Sequence, residues 1–241
     1  MIISHRRRFV ILAPWKTASS TIRARLGTLC ESPYSAFYHL NPDLGRVVHQ
    51  HLTLADFAEL PESRLGYRTA AFVRNPYDRV YSGFHQLIRD VSHQPRADFP
   101  DEEVRALVMM QLAENYAHLG RAEFAFEAWL ALLQERQVED AGRNSSFPLH
   151  PANYWTHRDG RQEVDFIGRV ESFETDFDRL CAELGVEADS RANANVSARE
   201  SELAGDEHGY RYAARMSSGA RRKVNELFRE DFALFGYEQL T

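Results

Sequence analysis

Apolar and polar positions change phase several times along the chain, and each change marks an element. Val10, Ile11 and Leu12 form an unbroken apolar run, the pattern of a strand covered on both faces, and Pro14 ends it. From Thr17 to Leu29 small and apolar residues fit the helical period. A short strand at Arg46–His49 leads to a helix opened by Thr53 and Asp56 at capping-box spacing. Leu54, Phe57 and Leu60 supply its inward face, and Pro61 helps to terminate it. Tyr67 to Val73 is a second buried-strand pattern, followed by Pro76, a residue suited to the first turn of a helix, here running to about Asp90. Glu163 to Val170 predicts another strand. Ser172 then starts a helix with Phe173, Phe177, Leu180 and Leu184 inward, closed by Gly185. A final helix, about Ser217 to Phe232, carries Val224, Leu227, Phe228 and Phe232 on one side.

The intervening stretches are less regular. Glu31 to Val48 contains Pro33, Pro42 and Gly45 and reads as an irregular connection up to its closing strand. Residues 91–144 read as a helical insertion: Pro100 with Asp101, Glu102 and Glu103 makes an acidic first turn, followed by Val104, Leu107, Val108 and Leu112 at helical spacing. A second helix there puts Phe126, Trp129, Leu130 and Leu133 on one face. Asn144–Trp155 and Asp189–Gly209 are polar and predict loops. Strands alternating with helices predict an α/β fold, a three-layer sandwich around a mainly parallel sheet. The length of 241 residues suits a single domain over 1–241 with the insertion inside it.

Composition narrows the ligands. The chain is 44% hydrophobic and 27% charged, with net charge −6, so no global positive field draws in nucleic acid or an anionic membrane. An anionic ligand must be caught by local groups. Cys30 and Cys181 lie far apart without metal-like spacing and read as buried thiols. His5-Arg-Arg-Arg8 follows Met1-Ile-Ile-Ser4 with no apolar signal-peptide core, and no run of about 18 apolar residues follows. The expectation is a cytoplasmic protein without a membrane span.

Local groups able to catch an anion sit at the strand-to-helix junctions. After the first strand come Lys16, Thr17, Ala18, Ser19, Ser20 and Thr21, where helix N-terminal amides and hydroxyls surround a lysine. Neither glycine of a Walker A loop is present, so a magnesium-nucleotide site is disfavoured. The alternative is that Lys16 and the serines only cap a surface helix. The second strand ends in Arg74-Asn-Pro-Tyr-Asp-Arg-Val-Tyr-Ser82, and the carboxyl ends of strands are where open α/β sheets bind ligands; its alternative is that Arg74 and Arg79 are surface ion-pair partners. His49-Gln-His51 lies at a third such junction. A zinc site would need a third protein ligand, which neither cysteine's spacing suggests. A general base, or a capped loop histidine, remains open for the pair.

Taken together, these segments resemble the sulfotransferases that use 3′-phosphoadenosine 5′-phosphosulfate (PAPS), nearest to the carbohydrate branch containing the heparan 2-O-sulfotransferases. Lys16-Thr-Ala-Ser-Ser20 is similar to that family's phosphosulfate loop, although Trp15 stands where the family commonly has proline. Arg74, Pro76, Arg79 and Ser82 reproduce its R-x-P-x-x-R-x-x-S motif. Asp165-Phe-Ile-Gly-Arg-Val-Glu-Ser172 with Asp176-Phe177, and Phe235-Gly236-Tyr237, are weaker matches, and the 91–144 insertion matches nothing.

The resemblance implies a P-loop NTPase-like sulfotransferase fold and sulfuryl transfer from PAPS, leaving adenosine 3′,5′-bisphosphate (PAP), to a hydroxyl-bearing acceptor, a glycan or other small molecule. It implies that Lys16, Thr17, Ala18, Ser19 and Ser20 hold the 5′-phosphosulfate and that Arg74 and Ser82 hold the 3′-phosphate. His51 aligns with the base and His49 with its assistant, and no metal is implied. His150, His157 and Glu171 are spare candidates. The competing functions are a nucleotide kinase or NTPase-like enzyme and a non-catalytic nucleotide-binding module.

Overall fold

A computed structural model describes residues 1–31, 38–93, 126–131, 133, 150–187 and 209–241. In chain order the elements begin with β1 (Ile2–Ser4), β2 (Phe9–Ile11), α1 (Ser19–Leu26), β3 (Tyr38–Asn41) and β4 (Arg46–His49). Next come α2 (Leu54–Glu59), β5 (Arg68–Val73), α3 (Pro76–His93), β6 (His157–Arg158), β7 (Arg161–Gln162) and β8 (Phe166–Arg169). The chain closes with α4 (Phe173–Leu184), α5 (Ser218–Leu227) and α6 (Arg229–Phe235).

The central sheet has four strands in the order β1-β2-β5-β8. β2 and β8 both run parallel to β5, with Val10 opposite Thr69 and Ala71 opposite Ile167. Only β1 is antiparallel, pairing Ile3 with Val10. Alternation along β2 sorts its side chains to two faces. Phe9 and Ile11 pack with Ile22 and Leu26 of α1 and with Phe177 and Leu180 of α4. Val10 and Leu12 point the other way, to Leu54 and Phe57 of α2 and to Trp155. The sheet is thus covered on both faces, as its apolar strands predict, and the α/β layering is as expected.

A further apolar cluster lies beside the carboxyl end of the sheet. There Trp15 and the α3 residues Tyr77, Val80 and Phe84 meet Trp129, Leu130 and Leu133 of the helical stretch around 126–131. Val224 of α5 and Phe232 of α6 complete the contact.

Local signals worked where they were self-contained. Thr53 and Asp56 form the reciprocal capping box, Ser217 caps α5 by accepting from the Ala220 amide, and Gly185 ends α4 in the left-handed conformation with φ 61°. Cys30 and Cys181 are free thiols. Other boundaries moved. The expected 17–29 helix is α1 plus a 3-10 turn at Gly27–Leu29, and the supposed loop around 150 contains a 3-10 turn at Ala152–Trp155. Residues 2–4, unassigned in sequence, form β1: a stretch this short has no readable period, and only its pairing to β2 makes it a strand. The last helix is broken at Phe228, with φ −116° and ψ 24°, because that ring is drawn fully into the core. Within the connection expected to be irregular up to its closing strand, Tyr38–Asn41 form β3, a strand by virtue of its antiparallel pairing to β4; residues 32–37, most of the 91–144 insertion and most of the Asp189–Gly209 loop lie outside the described residues.

Candidate active site

The site grows from the end of β2. Leu12 donates its amide to Ala70 O at 2.8 Å, keeping the strand in the sheet one residue past its formal end. Ala13 turns its carbonyl to His51, which lies just beyond β4. A carbonyl only accepts, so His51 Nδ1 carries the proton in this contact, and Nε2 is left as the nitrogen with the lone pair. The Gln50 side-chain amide approaches Nε2 at 3.4 Å. Trp155 Nε1 donates to the His51 carbonyl at 3.2 Å. The histidine is 1% exposed. His49 ends β4 opposite Tyr38; its side chain lies outside the described residues.

The loop then turns sharply. Lys16 and Ala18 both adopt left-handed backbone, with φ 66° and 61°, a conformation that costs a residue with a Cβ on the order of 1–2 kcal/mol. Alternation of this kind turns successive backbone N–H groups to one side, making an anion-binding concavity. Helix α1 begins immediately after, with Ala18 as an N-cap that offers no side-chain hydrogen bond. Ser19 and Ser20 are half-buried. Thr17 is different: its hydroxyl donates to Pro14 O at 2.7 Å and the residue is buried, so it shapes the turn. Lys16 Nζ donates to Gln86 Oε1 at 2.6 Å.

Gln86 belongs to α3, the helix opened by the arginine segment. Asp78, Ser82 and Gln86 recur at four-residue spacing and therefore share a face of α3. Arg74, at the carboxyl end of β5, is 8% exposed. Its guanidinium lies 3.9 Å from Asp78 and 6.0 Å from the Tyr212 ring centre. Asp78 in turn accepts the amides of Arg211 and Tyr212 at 3.0 and 2.8 Å, bringing the 209–216 segment over the arginine. Tyr212 stacks on Tyr81 at 5.0 Å.

Neither arginine is a surface ion-pair partner. Arg79 is fully buried: Nε donates to Trp15 O at 2.9 Å, Nη2 to His150 O at 2.6 Å, and Nη1 lies 3.7 Å from Asp231. Asp231 accepts the amides of Ala152 and Asn153 at 2.6 and 2.9 Å. Burial pushes the Asp231 carboxyl up to about 6 against the pull of Arg79, and burial lowers Arg79 to about 10.

The spare candidates have other positions. Glu171 accepts the Asn75 amide and side chain at 2.7 and 2.9 Å and the Tyr237 hydroxyl at 3.0 Å, so it anchors the turn into α3. His150 stacks on Tyr154 and offers its carbonyl to Arg79. His157 exchanges a 2.8 Å hydrogen bond with Thr156, and partial burial lowers its pKa. Gln86, Tyr212 and Asp231 were not found by sequence reasoning. For Asp231 the only signal was an acidic stretch before Phe235-Gly236-Tyr237; for the other two there was none.

Among the described residues, no group of His, Cys, Asp and Glu could hold a metal ion, and no helix is long and apolar enough to cross a membrane. The profile of the Sulfotransferase family matches residues 1–238, and the chain belongs to that family. No protein with a curated description and no solved structure matches it. Membership makes it a sulfuryl-transferring enzyme, of a class that uses PAPS as donor and a hydroxyl group as acceptor.

Proposed function

We propose that this protein transfers the sulfuryl group of PAPS to a carbohydrate hydroxyl by in-line displacement, with His51 as the base and His49 beside it. On this reading it falls in the branch that contains the heparan 2-O-sulfotransferases, and 1–241 forms one domain with an insertion at 91–144. What carries the reading is a convergence: the turn in which Lys16 and Ala18 are left-handed, the Arg74–Ser82 segment and His51 all meet the carboxyl ends of β2 and β5.

The residues present fit the donor. A concavity of backbone N–H groups opening on an uncapped helix start suits a phosphate-type anion, and a nearly buried arginine beside it suits a second one. Lys16, Thr17, Ala18, Ser19 and Ser20 would hold the phosphosulfate end, Thr17 by its backbone N–H alone because its hydroxyl is committed to Pro14 O; Arg74 and Ser82 would hold the 3′-phosphate. The donor, when bound, supplies a sulfuryl group on a phosphate that leaves readily. Lys16 Nζ balances the negative charge that develops as that phosphate departs, an effect realised mainly in the transition state. His51 Nε2 accepts the proton of the acceptor hydroxyl, and the Nδ1 contact with Ala13 O keeps that tautomer in place.

The test is transfer of labelled sulfuryl from PAPS to a panel of glycans, steroids, phenols and peptides. Glycan labelling that His51→Ala removes, with PAP affinity within a few-fold of the parent, is expected. Activity should rise with pH as the base loses its proton and be indifferent to EDTA. Loss on chelation restored by zinc would overturn the base assignment. Thermal stabilisation only by ATP with magnesium, and not by PAP, would favour a kinase.

A further inference from the structure

Arg79 and Asp231 do more than fill the core, and the reason lies in which atoms they hold. A peptide unit is planar and trans, so its carbonyl and the following N–H point in opposite directions. The carbonyl of Trp15 is bound by Arg79 Nε at 2.9 Å, and the N–H across that peptide belongs to Lys16. Pinning the carbonyl into the core therefore aims the Lys16 amide outward, as the first of the amides that line the cradle. The same guanidinium binds the carbonyl of His150 at 2.6 Å. Asp231, 3.7 Å from Arg79, holds the amides of Ala152 and Asn153 at 2.6 and 2.9 Å.

Four segments distant in sequence, at Trp15, Arg79, His150–Asn153 and Asp231, thus share one charged junction whose two side chains are 0% exposed. The rings of Trp155 and Phe228 lie over the guanidinium, each 5.9 Å from its centre. Burying such a pair is costly, and apolar residues of similar volume often serve stability as well or better. A junction kept only for stability would have no need of charge.

We infer that Arg79 and Asp231 are a positioning couple for sulfuryl transfer, fixing the Trp15–Lys16 peptide so that the cradle amides and Lys16 are aligned before the donor arrives. The inference rests on the cradle being the donor site. Arg79 touches neither donor nor acceptor and acts through the Trp15 carbonyl. Its fork of donors spans carbonyls on two segments, which a lysine's point charge does not do.

Two variants test it in the full-length chain. Arg79→Lys keeps the charge opposite Asp231, and the double variant Arg79→Met with Asp231→Leu removes both charges together. Three readings are taken on each: thermal midpoint, amide hydrogen exchange of the peptide covering residues 13–21, and kcat and KM for PAPS. Each variant that melts near the parent should exchange faster in 13–21 and lose turnover by roughly 10²-fold, the cost of a misplacement of about an ångström. A variant that melts like the parent and keeps parental exchange and kcat overturns the proposal. So does loss of turnover that only tracks the fraction unfolded in both variants. If the parent transfers nothing from PAPS, the functional reading fails, while exchange at 13–21 still decides whether the couple holds the loop.

Discussion

Lys16 Nζ donates a 2.6 Å hydrogen bond to Gln86 Oε1 across 70 positions of sequence. The bond joins the cradle loop after β2 to the helix that begins with the arginine segment after β5, so the lysine's ammonium has a defined resting place beside Ser82's face of α3. It also separates the backbone role of Lys16 from its side-chain role, and the two respond oppositely to substitution.

Lys16→Gly should stabilise the fold and stop the chemistry. Glycine adopts the φ of 66° seen at this position without the Cβ penalty, worth on the order of 1 kcal/mol or roughly 2–4 °C in melting temperature for a chain of this size. Removal of the charge should lower kcat by roughly 10²–10³-fold. Gln86→Ala, which removes this hydrogen bond and keeps the ammonium, should lower kcat by less. Calorimetry and a transfer assay read both effects; near-normal turnover in Lys16→Gly would sink the role given to the lysine.

Arg74→Ala should act on affinity. A contact to the 3′-phosphate is equally strong in ground and transition states, so its loss appears in binding and KM. The expected cost is about 1.5–3 kcal/mol, or roughly ten- to a hundredfold weaker PAP binding by titration calorimetry. Because Arg74 is nearly buried against Asp78 and Tyr212, the melting temperature should be recorded alongside. Unchanged PAP affinity would remove Arg74 from the donor site.

Gly168→Ala should damage the fold without touching the chemistry. Gly168 pairs with Phe72 across β8 and β5, and a Cβ there would lie 2.5 Å from the Phe72 ring. The ring is fully buried between Phe166, Phe173 and Phe177 and has little room to retreat. Overpacking of this kind costs about 1–3 kcal/mol, which denaturant titration would detect. A variant as stable as the parent would show that the Phe72 ring can move.

Glu174→Gln should reveal a pH-dependent brace. Arg25 Nη1 and Nη2 meet the Glu174 carboxylate at 2.6 and 2.7 Å, and this pairing holds the carboxyl below its usual range. A depressed carboxylate favours the fold at neutral pH, and that contribution is lost as pH falls through the folded-state value. The Glu174 side chain is 67% exposed, so water screens much of the attraction. Glu174→Gln should therefore melt slightly below the parent at pH 7, with the gap closing at acid pH. A gap independent of pH would mean that the carboxylate's charge contributes nothing.

The amino-acid sequence by itself determined whatever depends on near neighbours. The apolar runs at Val10 and Ala70, the Thr53–Asp56 box, the Gly185 stop and the spacing of Arg74, Arg79 and Ser82 are readable because strand period, helix capping and motif spacing act over a few residues. That was enough for the α/β architecture and the family.

Tertiary structure decided what each polar group faces. The same arginine pattern allowed a surface pair, yet Arg79 is sealed in the core and Arg74 nearly so, because their partners Trp15, His150, Asp231 and Tyr212 arrive from distant segments. Thr17 shares its residue type with the cradle hydroxyls but spends its proton on Pro14. The sequence offers His51 as a base but not which of its nitrogens carries the proton, which the Ala13 carbonyl decides. Contacts across such separations leave no periodic trace, since nothing in a local pattern encodes which strand end will lie beside which helix face.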